Sequence, residues 1–73
     1  MRLNETMQKC EYVIIQGFGR LSYDAPDAPE RWIDICRATP AEFELYGVRH
    51  VRHASYSRYR VVDWCNWRLT QDL

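Results

Sequence analysis

The chain has 73 residues and a formal net charge of zero, with 47% hydrophobic and 14% aromatic residues. A chain of this size forms one domain with a modest core, and its aromatic content excludes a fully disordered chain. Zero net charge argues against a nucleic-acid-binding protein that works by bulk charge. Three widely spaced cysteines, together with the lack of a long apolar run or a signal-peptide pattern, lead us to expect a complete cytoplasmic protein without a disulfide framework.

The first ten residues are polar and show no strand-like alternation. Terminal segments of this kind are commonly mobile. We therefore expect residues 1–10 to form a flexible N-terminal arm and residues 11–73 to form a single α+β domain. Leu3 and Met7 are the apolar side chains that such an arm could place on a partner.

Residues 11–16 favour a strand, because β-branched and aromatic side chains there alternate between two faces. Gly17 and Gly19 follow, but they do not fit the full dinucleotide-binding spacing. A bulge or kink in a strand that resumes at Arg20 is the favoured interpretation. Two prolines then predict a loop over residues 24–29.

Residues 31–37 fit two structures. As a strand, Ile33 and Ile35 would share one face. As a helix, Asp27 and Glu30 would form a capping pair at its start. The short length and the Ile and Trp content favour the strand, and the helix stays open.

A helix start is predicted at Thr39-Pro40-Ala41-Glu42. Thr39 can cap the first turn, Pro40 suits the first helical position, and Glu42 completes a capping box. Gly47 should end the helix after Tyr46. A helix of two turns or less is not stable alone in water, so it must pack on the sheet.

Residues 48–69 predict two strands, 48–53 and 58–69, joined by a loop of about five residues. Alternation in the second strand gives a core face made of Tyr59, Val61, Asp63, Cys65, Trp67 and Leu69. The opposite face holds Arg58, Arg60, Val62, Trp64, Asn66 and Arg68. The predicted fold is α+β: a small antiparallel sheet of three to four strands, one short helix and a flexible N-terminus.

Metal and catalytic sites are not favoured. His50 and His53 with Cys36 or Cys65 could supply zinc ligands, but residues three apart on a strand point to opposite faces. Two exposed interface histidines are the favoured interpretation. No pattern fixes a nucleophile beside a base. We expect no metal, no cofactor and no enzymatic activity.

Basic charge is concentrated in the second half. Residues 45–73 hold five arginines against two carboxylates, while residues 1–44 hold eight carboxylates against five basic groups. Arg, Trp and Tyr dominate binding hot spots, so we predict a protein interface. We also expect the chain to be a monomer. The predicted interface, with the two apolar residues of the arm, is Arg49, Arg52, Tyr56, Arg58, Arg60, Trp64, Arg68, Leu3 and Met7. The alternatives are a surface for single-stranded nucleic acid and a solvated sheet face.

The segments Thr39-Pro40-Ala41-Glu42, Tyr46-Gly47-Val48 and Val61-Val62-Asp63-Trp64 describe a helix followed by a hairpin. In this layout, in length and in its Arg-rich basic charge, the whole chain resembles small bacteriophage regulators that bind host RNA polymerase, as in Xanthomonas phages. The resemblance implies binding to bacterial RNA polymerase in the host cytosol, inhibition of initiation at host promoters and read-through of terminators, with nucleic acid nearby and no membrane. It assigns no functional residue. A small phage inhibitor of a bacterial defence complex is a further alternative.

Overall fold

The structure, a computed structural model, describes residues 2–65 and 67–73. Its elements in chain order are α1 Glu5–Gln8, β1 Val13–Gly19, β2 Arg31–Ala38, α2 Pro40–Tyr46, a 3₁₀ turn Arg49–Val51, β3 Tyr56–Asp63 and β4 Thr70–Asp72. The α+β class and the antiparallel sheet of four strands are confirmed. Met1, in the predicted arm, and Asn66, in the predicted second strand, lie outside the described residues. No helix in the described part is long and apolar enough to cross a membrane.

The four strands have the order β2-β1-β3-β4, and every neighbouring pair is antiparallel. β1 therefore lies between β2 and β3. A register shift between Ile15 and Gln16 places Cys36 and Asp34 opposite them, so that Ile35 is the extra residue of a bulge in β2. The strand interpretation of residues 31–37 is confirmed.

The strand around the two glycines does not continue as predicted. A second register shift occurs between Phe18 and Gly19, where β1 pairs with β3. β1 ends at Gly19, so the predicted resumption at Arg20 is wrong. The Arg20 side chain instead donates a hydrogen bond to the carbonyl of Ala28, within the loop that leads to β2.

The core lies between one face of the sheet and the helical segments. Its buried members are Leu3, Met7, Val13, Ile15, Phe43, Val48, Tyr59 and Val61. Both α-helices contribute to it, α1 through Met7 and α2 through Phe43. The protein is therefore a two-layer domain with its helices on one side of the sheet.

The predicted N-terminal arm is packed on this core in its described part, residues 2–10. Leu3 and Met7 are 2% and 0% exposed, so their predicted role as contacts on a partner is wrong. Asn4 caps α1 by accepting a hydrogen bond from the Met7 N–H at 2.9 Å, and the Asn4 N–H donates to the Gln71 side chain at 2.7 Å. Leu3 precedes the cap and Met7 lies within α1, and both side chains pack into the core.

Helix α2 forms as its capping signals predict. The Thr39 hydroxyl accepts from the Glu42 N–H at 3.1 Å, and the Glu42 carboxylate accepts from the Thr39 N–H at 2.9 Å. The second of these bonds lowers the pKa of the Glu42 carboxyl. Gly47 ends the helix with a φ of 62°, and Phe43 is fully buried against the sheet.

The predicted hairpin is wrong in two places. Residues 48–53 contain a 3₁₀ turn instead of a strand, so β3 pairs with β1 and β4. The second strand ends at Asp63, because its buried carboxylate accepts the Leu69 N–H at 2.7 Å and its own N–H donates to the Leu69 carbonyl at 3.1 Å. This closes a loop in which Cys65, Trp67 and Leu69, all predicted in the core, are exposed.

Candidate functional site: the open face of the sheet

The sheet face opposite the core carries no helix in the described part of the chain, because both α-helices bury their apolar residues on the other side. Residues that pair directly across neighbouring strands share a face. We call the following set the open face: Tyr12, Ile14, Gln16, Phe18, Trp32, Asp34, Arg37, Arg58, Arg60, Val62 and Trp64. Three rows cross β2, β1 and β3 in this order, and Tyr12 and Trp64 form one end.

The first row joins two aromatic rings and one arginine. Phe18 on β1 pairs with Trp32 on β2 and with Arg58 on β3. The two ring centroids are 5.2 Å apart in an edge-to-face arrangement. The Arg58 guanidinium carbon lies 4.8 Å from the Phe18 centroid and 5.1 Å from the Trp32 centroid. These are distances at which cation–π attraction holds a guanidinium over a ring.

The middle row is a chain of hydrogen bonds across the same three strands. Gln16 is 4% exposed, and its side-chain amide donates to Asp34 Oδ1 at 2.6 Å. Its carbonyl oxygen accepts from Arg60 Nε at 2.7 Å. The Arg60 guanidinium also lies 4.2 Å from the Trp32 centroid. Hydrogen bond and ring together fix the plane of this guanidinium.

The third row brings a third arginine to the far end of the face. Arg37 and Val62 pair with Ile14 from either side. The Arg37 guanidinium carbon lies 4.3 Å from the Tyr12 centroid and 5.1 Å from the Trp64 centroid. The Trp64 N–H donates to the Tyr12 carbonyl at 3.2 Å, which holds the two aromatic residues together.

The arrangement leaves guanidinium edges, more than ring faces, available to a ligand. The guanidinium groups of Arg37 and Arg58 form no hydrogen bond or ion pair within the described residues, and guanidinium N–H groups match carboxylates in bidentate geometry. A base that stacks on the ring face covered by a guanidinium, at Phe18 or Trp32, must first displace that guanidinium. The open face is therefore better suited to carboxylates of a protein than to stacked bases.

The residues of the predicted interface do not all lie on one surface of the domain. Arg58, Arg60 and Trp64 lie on the open face, as alternation predicts. Arg49 and Arg52 lie on the helical side, in and just after the 3₁₀ turn. Their placement with the other three is wrong, because residues 48–53 form no strand.

The remaining predicted contacts lie elsewhere. The ring of Tyr56 packs against Gly17 on the core side of the sheet, so Tyr56 is not part of the open face. Arg68 is an exposed residue of the loop that follows β3. Leu3 and Met7 belong to the core.

Of the residues of the open face, the predicted interface contains only Arg58, Arg60 and Trp64. Phe18, Trp32 and Arg37 were not assigned to the site, although alternation places each on a definite face of its strand. The missing information was the strand order, since only the pairing of β1 with both β2 and β3 brings these residues beside Arg58 and Arg60.

The cysteines and histidines give no assembled centre in the described residues. Cys36 Sγ lies 4.0 Å from His50 Nε2, and His53 Nδ1 accepts the Ser55 N–H at 3.0 Å. No group of three or more metal-ligating side chains occurs in residues 2–65 and 67–73. Burial raises the pKa of the Cys36 thiol and of the Cys10 thiol, so both thiols are protonated at neutral pH and are weak nucleophiles.

Comparison with protein-family models, curated proteins and solved structures finds no match to this chain. What the open face can bind has to be inferred from its geometry and charge.

Proposed function

We propose that this chain is a non-enzymatic binding protein that docks its open face on a larger partner protein. The observation that carries the proposal is the fixed placement of Arg37, Arg58 and Arg60 over the rings of the open face. Arg, Trp and Tyr are the residue types that contribute most to protein interfaces. Side chains that are already ordered lose less conformational entropy on binding.

The resemblance to phage regulators makes bacterial RNA polymerase the partner to test first. In that role the chain acts as a monomer in the host cytosol, inhibits initiation at host promoters and promotes read-through of terminators. A small protein achieves this by binding one state of the polymerase more tightly than another, which shifts the equilibrium between them. It needs no cofactor and no catalytic step.

Single-stranded nucleic acid is the second candidate, because an antiparallel sheet face with aromatic and arginine side chains is a common platform for it. Two features favour a protein instead: guanidinium groups lie over the rings, and the carboxylate of Asp34 lies in the middle row. A bacterial defence complex is a different protein partner for the same face.

The test measures binding of the purified full chain to immobilised bacterial RNA polymerase. Arg58→Ala and Trp64→Ala should each weaken binding by about 1–4 kcal/mol. Tyr23→Ala and Lys9→Ala remove exposed side chains that are not members of the open face, and both variants should bind as the parent does. Thermal melting of each variant establishes that the fold is retained. Transcription from a promoter followed by a terminator then reports initiation and read-through.

Three results would contradict the proposal in different ways. A parent chain that does not bind polymerase excludes this partner. Equal binding by Arg58→Ala, Trp64→Ala and the two controls excludes the open face. Tight binding to a bare single-stranded oligonucleotide, with affinity that falls steeply as salt rises, supports the nucleic-acid candidate.

A further inference from the structure

A second surface lies at the C-terminal end of α2, on the helical side of the domain. We call it the corner groove; it has a volume of about 310 Å³ and is lined by Glu44, Leu45, Tyr46, Gly47, Val48, Arg49 and Arg52. Leu45 is 74% exposed and Tyr46 is 58% exposed. Both side chains line the same groove, so their exposed apolar surface is contiguous, which is a feature of interaction sites.

The backbone of the corner groove is held in place. The Gly47 N–H donates to the Phe43 carbonyl at 2.7 Å, and the Val51 N–H donates to the Val48 carbonyl at 3.1 Å. Val48 is only 5% exposed and belongs to the core. Leu45 and Tyr46 are therefore presented from an ordered segment, and a ligand meets a formed surface.

The rim of the groove is cationic. Arg49 and Arg52 form no ion pair within the described residues, and the Arg52 guanidinium carbon lies 5.8 Å from the Tyr59 centroid. The carboxylate of Glu44 accepts hydrogen bonds from the Leu3 N–H at 3.3 Å and the Gln8 side chain at 3.4 Å. It is thus engaged with the N-terminal segment, and the two arginines are left to a ligand.

We propose that the corner groove binds an acidic segment of a partner protein that carries an apolar side chain. The apolar side chain packs on Leu45 and Tyr46, and flanking carboxylates form bidentate pairs with Arg49 and Arg52. A nucleic-acid backbone supplies the negative charge but no aliphatic side chain for the exposed leucine. This site is separate from the open face and does not depend on it.

The test is a heteronuclear NMR titration of the full chain with a synthetic peptide in which leucine alternates with glutamate. Saturable shifts should be confined to residues 44–52. Leu45→Ser and Arg49→Gln should each weaken binding by about tenfold, the loss expected for an interface residue of moderate importance. Tyr23→Ser removes a large side chain that is 82% exposed and lies outside the groove, and it should leave the affinity unchanged. The spectrum of each variant shows directly whether the fold is kept.

Two further peptides, one with glutamine for glutamate and one with serine for leucine, should bind more weakly than the first. Equal binding of the serine peptide, or of a single-stranded oligonucleotide, would show a general anion surface and overturn the proposal. So would shifts at residues 44–52 that depend on protein concentration alone, since these would show a second copy in the groove. Absence of saturable shifts with the leucine–glutamate peptide would overturn it as well.

Discussion

A substitution at Met7 tests whether the N-terminal segment is part of the folded core. The Met7 side chain is fully buried, and truncation of a buried Met to Ala costs about 2–5 kcal/mol. A domain of 73 residues has a free energy of unfolding of about 4–11 kcal/mol. Met7→Ala should therefore remove a large part of the stability. Deletion of residues 1–9, which also removes the buried Leu3, should leave the chain largely unfolded.

Urea denaturation followed by circular dichroism measures the effect. The midpoint should fall while the slope of the transition stays the same, as for a loss of stability without a change in compactness. Each kcal/mol should lower Tm by about 4–8 °C in a domain of this size. Glu5→Ala removes an exposed side chain from the same helix and should stay within about 0.5 kcal/mol of the parent. Equal stability of Met7→Ala and Glu5→Ala, with a normal transition after deletion of residues 1–9, would refute this account of the core.

Two other predictions concern local contacts. A Cβ at position 19 would meet the backbone carbonyl of Ser55, so Gly19→Ala should lower the free energy of unfolding by about 1–3 kcal/mol in urea; a change below about 0.5 kcal/mol would contradict this. Arg31 Nη1 lies 2.7 Å from Asp24 Oδ2, and this bond lowers the pKa of the Asp24 carboxyl. Because the folded pKa is below the unfolded value of about 3.9, the stabilisation is present above that pH and is lost as pH falls through the folded pKa. Arg31→Gln should raise the Asp24 pKa in an NMR titration of its carboxyl carbon, and an unchanged pKa would show that the pair has no influence.

The elements that could be predicted from the sequence are those with complete local signals. Helix α2 begins after Thr39 and ends before Gly47, because the capping box and the positive φ of the glycine depend on residues in and next to the helix itself. The end of β3 could not be predicted in this way. Alternation continues to Leu69 in the sequence, but the strand stops at Asp63, which forms hydrogen bonds with the Leu69 backbone.

The sequence predicts which residues of β3 share a face of the sheet, but it does not predict which residues of other strands lie beside them. Arg58, Arg60 and Trp64 were assigned together because alternation along one strand requires no partner. Phe18 and Trp32 join them through the order of the strands, which depends on packing over the whole domain. Residues 48–53 were assigned to a neighbouring strand on composition, and the buried Val48 and the 3₁₀ turn show that packing on the core decided their structure.

Hydroxyl-radical footprinting of the chain, free and bound to bacterial RNA polymerase, tests the central claim most directly. Oxidation rates report the solvent exposure of aromatic side chains, and the chain carries them both on and off the open face. The proposed docking predicts that Trp32, Phe18 and Trp64 are protected in the complex while Tyr23, 82% exposed in the free chain, keeps its rate. Protection of Tyr23 with unchanged oxidation of Trp32 and Trp64 would show that the partner binds elsewhere and would contradict the proposed role of the open face.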